Sequence, residues 1–285
     1  MLMALPKITV VTVVYNRVNT IEQAISSVVN QTYPNLEYIV IDGGSTDGTV
    51  DIIKKYEKRI SYWVSEKDNG IYDAMNKGVR VATGEYVEFL NSDDCFYSED
   101  ILEKVAKELD AETDILSCRA CVVDEETLVE RVIGDVSISE KKNYHGGMVI
   151  SHQGMFTRRN LLIKYPFDTK YKIKGDYKFF LSCFLDEDVR FKFNSIPVVY
   201  FSNGGISGKV PSMMEEFEID NEIGKAVNES RKRRLIKFIQ WIIGEPLYLM
   251  IREITWGWVR DKLQYKLGKK HSCENKICRW CGREG

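Results

Sequence analysis

Apolar, mostly β-branched residues run almost unbroken through residues 7–14 (KITVVTVV), the pattern of a strand buried on both faces. Asn19 then stands three positions before Glu22, a capping-box-like start, and Ile21, Ala24, Ile25, Val28 and Val29 follow at helical spacing. Pro34 ends that helix, and residues 36–41 (LEYIVI) read as a second strand. Residues 42–48 (DGGSTDG) form a turn before a second helix over 50–56. A third strand is expected over 60–65. Ile71, Met75, Val79 and Ala82 place a third helix that ends near Gly84. Strand 85–90 and an amphipathic helix near 101–109 follow. Strands alternating with helices in this way predict a mainly parallel, three-layer α/β sheet.

The pattern changes at Ile115. Residues 115–123 and 128–133 read as strands joined by a short acidic turn, 175–184 as a helix, 189–201 as a strand, and 213–229 as an acidic helix. The remainder, from Arg231 onward, is basic and aromatic and then bears cysteines. These shifts divide the chain into a main domain over 1–210 and a C-terminal helical tail over 211–285.

Composition narrows the class. The 285 residues are 44% hydrophobic and 29% charged, as in soluble globular proteins, and a net charge of −2 makes no case for nucleic acid as a partner. No secretory leader pattern is visible in residues 1–6. The longest apolar candidate, 235–251, is cut by Gly244-Glu245-Pro246, short of the roughly 20 residues a membrane span needs. Seven cysteines are few for a disulfide scaffold of this length, so reduced thiols and a cytoplasmic location are expected.

The most informative chemistry lies where strand 85–90 stops, at Asn91-Ser92-Asp93-Asp94. Ligands of open α/β sheets bind outside the carboxyl ends of the strands, and hard oxygen donors there suit a divalent cation. Other phosphate-binding layouts are excluded. The turn after the first strand, Tyr15-Asn16-Arg17-Val18-Asn19-Thr20, has no glycine for a dinucleotide fingerprint, and no G-K-[ST] exists for a P-loop.

The segments Val11-Thr12-Val13-Val14-Tyr15-Asn16, Val40-Ile41-Asp42-Gly43-Gly44-Ser45-Thr46-Asp47-Gly48-Thr49, Gly70-Ile71-Tyr72-Asp73-Ala74-Met75-Asn76-Lys77-Gly78 and Gly84 through Asp94, followed by His152-Gln153 and Lys174-Gly175-Asp176-Tyr177, resemble the successive motifs of family 2 glycosyltransferases. The resemblance spans about residues 7–208. It implies a GT-A, Rossmann-like α/β/α sandwich, a nucleotide-sugar donor (commonly UDP-linked), Mg²⁺ or Mn²⁺, and transfer with inversion to a glycan or lipid-linked acceptor.

Roles carry over position by position. Tyr15, Asp42, Asp73, Asn76, Asn91 and Ser92 are expected on the nucleotide side. Asp42 resembles the acid that accepts a hydrogen bond from the base, left available because Ser45, Thr46 and Asp47 can cap the next helix. Asp93 matches the last acid of the family's D-x-D metal motif. Its first acid is Asn91 here, which can bind a ribose hydroxyl or ligate weakly through its carbonyl but brings no charge, and Asp94 is expected to support. Asp176 matches the catalytic base, against the plainer reading of a helix cap. His152 and Gln153 are expected on the acceptor or sugar side. Met75 stands where many relatives have arginine, which removes one expected phosphate or base contact. Two other classes stay open: a nucleotidyltransferase, and a non-catalytic carbohydrate-binding relative.

Residues 202–208 (SNGGISG) read as a flap over the donor or as a plain surface loop. In the tail, Arg231-Lys232-Arg233-Arg234 with Trp241, Trp256, Trp258 and Tyr265 suits either an anionic membrane surface, on the inner face of the plasma membrane, or docking on the main domain or on a second copy in a homodimer. His271, Cys273, Cys278 and Cys281 are zinc-competent, but their compact spacing favours a reduced tail over a metal knuckle. Cys118 and Cys121 fall in a strand, where they point to opposite faces.

Overall fold

The structure is a computed structural model that describes residues 5–123, 129–133, 151–202, 210–223 and 269–270. Four parallel strands form its first half: β1 (Ile8–Val14), β2 (Leu36–Asp42), β3 (Tyr62–Ser65) and β4 (Tyr86–Phe89). Their order across the sheet is β4, β1, β2, β3. Pairing sets Val14 beside Asp42, Asp42 beside Ser65 and Val11 beside Phe89. The carboxyl ends of all four strands therefore reach one edge.

The helices α1 (Ile21–Val29), α2 (Thr49–Lys55) and α4 (Ile101–Ala106) pack one face of the sheet; α3 (Ile71–Val81), α5 (Arg159–Lys164) and α6 (Gly175–Leu185) pack the other. In β1, Ile8, Val10 and Val14 face the first layer, Val11 and Val13 the second. This two-sided burial is why the strand is apolar at nearly every position.

Beyond β4 the sheet is mixed rather than parallel. The short β5 (Cys95–Phe96) leaves it to pair with β9 (Phe191–Ser202). Strand β6 (Ile115–Val123) runs antiparallel to β7 (Val129–Ile133) and β8 (Met155–Arg158), and parallel to β9. Strand β8, which alternation alone does not reveal, joins the halves by lying antiparallel to β4. A two-residue β10 (Lys269–Lys270) extends β7. Cys118 and Cys121 fall in different apolar clusters.

The helix expected over 213–229 is α7 (Val210–Ile223). It docks on α6: Ile219 is fully buried in the core, Tyr177 donates to Asp220 at 2.6 Å, and the backbone N–H groups of Lys172, Ile173 and Lys174 all reach Glu215 at 2.8 Å. Residues 203–208 of the expected loop, the tail apart from α7 and β10, and the His271/Cys273/Cys278/Cys281 cluster lie outside the described residues. Among the described residues no helix is long and apolar enough to cross a membrane.

One local expectation is corrected. Asn19 and Glu22 form no capping box: α1 begins at Ile21 with Thr20 at its N-cap and no side-chain cap bond. Glu22 is drawn instead to the neighbouring helix end, accepting from Tyr56 at 3.2 Å and lying 3.7 Å from Lys55.

Two strand glutamates show how burial and partners compete. Burial alone raises the Glu37 carboxyl, but hydrogen bonds from Thr83, Thr9 and Lys7 overcome it and hold the group at about 2. Glu88 is fully buried on β4, and neither of its oxygens has a hydrogen-bond partner among the described residues. Burial, with the charge of Asp94 added, pushes it well above the ordinary carboxylate range. Folded Glu88 thus keeps its proton where unfolded Glu88 has lost it, so stability falls as pH rises toward the folded-state value. Glu88→Gln is expected to flatten that slope and to gain about 2 kcal/mol at the alkaline end, read as thermal midpoints across a pH series. Parallel curves for the two proteins would refute it.

Candidate functional site

Along the carboxyl edge, the turns after β1 and β2 are knitted together. The Asn16 backbone is left-handed at φ 51. Its N–H donates to Ser45 Oγ at 2.8 Å, and its Oδ1 accepts from the Thr46 N–H at 2.9 Å. Val18 N–H donates to Asp47 Oδ2 at 3.0 Å, while Asp47 Oδ1 accepts at 3.0 Å from the N–H of Thr49, the first residue of α2, whose N-cap is Gly48. Tyr15, at the rim, is 61% exposed.

Asp42 is not left open by that capping. It is fully buried, Oδ2 accepts from the N–H groups of Gly44 and Ser45 and from Ser65 Oγ, and Oδ1 accepts from Ser45 Oγ. The carboxylate holds its own turn in shape. Asp68, which the motif reading passed over, lies with its carboxyl against Gly43, where an added Cβ would come within 2.5 Å of it.

Asp73 and Asn76 were expected to share a face toward one ligand, and their side chains are engaged in different places. Asp73 accepts from the Asn69 N–H at 3.0 Å. Asn76 clamps Phe167, donating to its carbonyl at 2.8 Å and accepting from its N–H at 3.0 Å. Lys77 pairs with Glu66 at 2.8 Å. Met75 is 1% exposed and packs in the apolar layer, so the position that carries arginine in many relatives faces the core here.

The residues 91–94 make a tight turn, closed by the Asp94 N–H on the Asn91 carbonyl at 3.1 Å. Ser92 and Asp94 are buried within it. Asp93 is half-buried, and no hydrogen bond or ion pair of its carboxylate is seen among the described residues. An available carboxylate at a strand end can hold a hard divalent cation alongside water and phosphate oxygens. Among the described residues no cluster of three potential ligands accompanies it.

Beside this turn four side chains from four segments converge. His152 Nδ1 lies 3.0 Å from Asp176 Oδ2. Asn91 Nδ2 lies 3.2 Å from His152 Nε2. Asp176 Oδ1 accepts from the Tyr72 hydroxyl at 3.0 Å and from the Tyr177 N–H at 2.9 Å. Tyr72 shares its proton with the Ile173 carbonyl at 2.7 Å. Burial works against charge on Asp176, but the hydrogen bond from His152, the charge that ring carries when protonated, the nearby positive charge of Lys174 and the bond from Tyr72 outweigh it, and the carboxyl sits below its ordinary range. Burial and the Asp176 charge together push the Tyr72 phenol far up, so it stays a donor. The N-cap of α6 is Lys174, so Asp176 is not the helix cap. Gly175 is required by close approach: an added Cβ would stand 2.8 Å from the Tyr72 ring. A small apolar cavity lined by Met75, Phe89, Met155, Leu162, Phe167 and Phe179 opens on His152 and Asp176. Gln153, by contrast, is buried and accepts from Ser151 Oγ at 2.5 Å. Tyr72 escaped the sequence reading, although it sits beside Asp73 in the same motif.

A largely buried, ionised carboxylate held by an imidazole and a phenol can accept a proton from a hydroxyl brought against it. The model of Glycosyl transferase family 2 matches residues 9–165. The chain belongs to that family. An uncharacterized glycosyltransferase of Mycobacterium tuberculosis is 33% identical over 178 residues, 62% of this chain and 68% of its own length. A PGL/p-HBAD biosynthesis glycosyltransferase of Mycobacterium bovis is 28% identical over 223 residues, 73% of this chain and 82% of its own. Among solved structures, S. aureus TarS 1–349 in complex with UDP-GlcNAc matches with a TM-score of 0.60 at 21% identity over 76% of this chain. The mannosyltransferase PcManGT of Pyrobaculum calidifontis in complex with GDP-Man and Mn²⁺ matches at 0.61 and 20% over 77%. The family 2 chain spans 65% and 64% of those two structures. At such identity they show its fold, the GT-A fold of glycosyltransferases.

Proposed function

We propose that this chain is an inverting, metal-assisted glycosyltransferase that moves a sugar from a nucleotide sugar, UDP-linked in our reading, to a glycan or lipid-linked acceptor in surface polysaccharide synthesis. The observation that carries this is the largely buried carboxylate of Asp176, bonded to His152 beside the acidic 91–94 turn at the carboxyl edge. It offers a base and a cation site in the order that an attack opposite a leaving diphosphate requires. Solved relatives bound to UDP-GlcNAc, or to GDP-Man and Mn²⁺, support the donor class and the cation.

Asp176 takes the proton of the attacking hydroxyl. Tyr72 and His152 keep it charged and aimed. Asp93 fits a Mg²⁺ or Mn²⁺ ion, with Asp94 supporting the turn, and that ion supplies positive charge against the leaving diphosphate. Tyr15 offers its exposed ring to the nucleobase. Asp42 keeps the adjoining turn in shape and meets the base only by giving up one of its present bonds. Ser92, Asp73 and Asn76 shape the walls of the site. His152 faces the acceptor side. The segment 1–210 is the transferase and 211–285 an accessory region, held to the transferase through α7, that attaches it to an anionic membrane surface.

A donor screen that measures nucleotide release with and without Mn²⁺ tests this reading. Release is expected with one sugar nucleotide and to be lost on chelation. Asp93→Ala is expected to lose at least about 100-fold, the scale of one electrostatic contact in the transition state. Full activity under chelation would remove the metal, and no acceptor-dependent release from any donor would remove the transferase.

A further inference from the structure

Asn91 stands at the first position of the family's D-x-D motif, where a contact to the nucleotide is expected, yet its amide lies on His152. The carboxylate of Asp176 can only accept, so the Nδ1 that faces it at 3.0 Å carries a hydrogen. In a ring with hydrogen on Nδ1 alone, Nε2 is the lone pair, and the Asn91 amide, whose Nδ2 lies 3.2 Å away, is placed to donate to it. The bonds run in one direction: Asn91 to His152 Nε2, His152 Nδ1 to Asp176 Oδ2. The other carboxylate oxygen is held separately, by Tyr72 and the Tyr177 N–H.

Among the described residues, the rest of the surroundings leaves this choice to Asn91. His152 opens a one-turn 3-10 helix, His152–Gly154, whose Gln153 is buried and bonded to Ser151. The turn is thus fixed in place, but neither neighbour touches the ring nitrogens. In the opposite tautomer, with hydrogen on Nε2, a lone pair on Nδ1 would confront the Asp176 carboxylate and the bond between them would be lost. A carboxylate in place of Asn91 has no N–H to give to Nε2. The amide is therefore the group that selects the tautomer Asp176 needs.

We propose that Asn91 is a positioning residue for the general base, acting on Asp176 through His152, rather than a contact to the donor. This rests on the reading of Asp176 as the base. It gives a chemical reason for an amide at the first position of the D-x-D motif in this chain: the side chain there serves the acceptor half of the reaction.

The test combines ring-nitrogen spectra with kinetics on the full chain. The sequence has three histidines, so a His152→Gln variant identifies the His152 signals in protein labelled with ¹⁵N-histidine. The wild type is expected to show the neutral ring with hydrogen on Nδ1, and Asn91→Ala a mixture of tautomers. With the donor found by the screen, Asn91→Ala is expected to lower kcat by roughly tenfold to 100-fold, as small misplacements of a reacting group do. Donor KM and the calorimetric affinity for UDP are expected to stay as in wild type. Asn91→Ser provides the same readouts if the alanine variant does not fold. Hydrogen on Nε2 in the wild type, or unchanged spectra in the variant, overturns the proposal. So does weakened UDP binding with kcat unchanged, the signature of a ribose contact. The spectra do not depend on turnover: if Asp176→Asn proves fully active, the base reading fails while the tautomer result still decides the role of Asn91.

Discussion

Asp176→Asn is expected to lower sugar transfer by about 10²–10⁴-fold, the usual worth of a positioned general base, while the fold persists. The amide has nearly the carboxylate's shape, and its oxygen can still accept from Tyr72 and the Tyr177 N–H. It has no comparable basicity. Its NH₂ would meet the hydrogen on His152 Nδ1, now 3.0 Å from Asp176 Oδ2, and drive the ring toward the other tautomer. That change would in turn set an N–H against the Asn91 amide. One substitution thus removes the base and overturns the direction of hydrogen bonding at both nitrogens of His152. The check is kcat at saturating donor, with UDP affinity as the control for an intact nucleotide side. Near-normal transfer would remove the base assignment. A pH dependence accompanies this. The carboxyl of Asp176 lies below its ordinary range in the folded protein. The stability it contributes is therefore complete above the ordinary carboxylate value and is lost as pH falls through the lower, folded-state value. Asp176→Asn should weaken that acid-side dependence. The activity of wild type should show no loss from this group at mildly acid pH.

Gly154→Ala is the second large effect. An added Cβ would come within 2.6 Å of the Cys118 carbonyl oxygen and 3.2 Å of its carbon. Those atoms belong to the backbone of β6, at a register irregularity flanked by Ser117, paired with β8 and β9, and by Arg119, paired with β9. Backbone pinned on both flanks cannot swing away as a side chain can, so the turn carrying His152 is expected to move instead. Overpacking of this kind costs about 1–3 kcal/mol. A shift of His152 relative to Asp176 on the order of 1 Å costs about 100-fold in rate. Denaturant midpoints and kcat should both fall. Unchanged values of both would mean that β6 yields. At Gly43 the crowding atom is the end of the Asp68 side chain, which can rotate, so Gly43→Ala should leave the denaturant midpoint nearer wild type.

The first half of the fold was legible because its signals are local. The strand at Ile8–Val14 is apolar on both faces, the helix at Ile71–Val81 has one apolar stripe, and the strand at Tyr86–Phe89 stops at a polar turn. The strand at Met155–Arg158 was not legible. It has four residues, too few for a period, and it forms only because β4 and β6 offer it partners. The acids at the strand ends were legible as chemistry, and the order of the motifs carried the family. Side-chain partnerships were another matter. Asp42 looked available because other residues could cap the next helix, yet the same turn closes on it from Gly44, Ser45 and Ser65.

The sequence by itself determined the parallel core, the edge at which its strands end, and the residue types gathered there, since these follow from periodicity and from chemistry along the chain. Only the tertiary structure decided which groups meet. Asn91 and His152 are 61 positions apart, Asn76 and Phe167 91, Tyr72 and Asp176 104. Hydrogen bonds act over about 3 Å, so no local pattern encodes such pairs; they arise when packed layers bring distant segments together. That packing turned Asn91 toward the imidazole, Asn76 onto Phe167 and Tyr72 beneath Asp176.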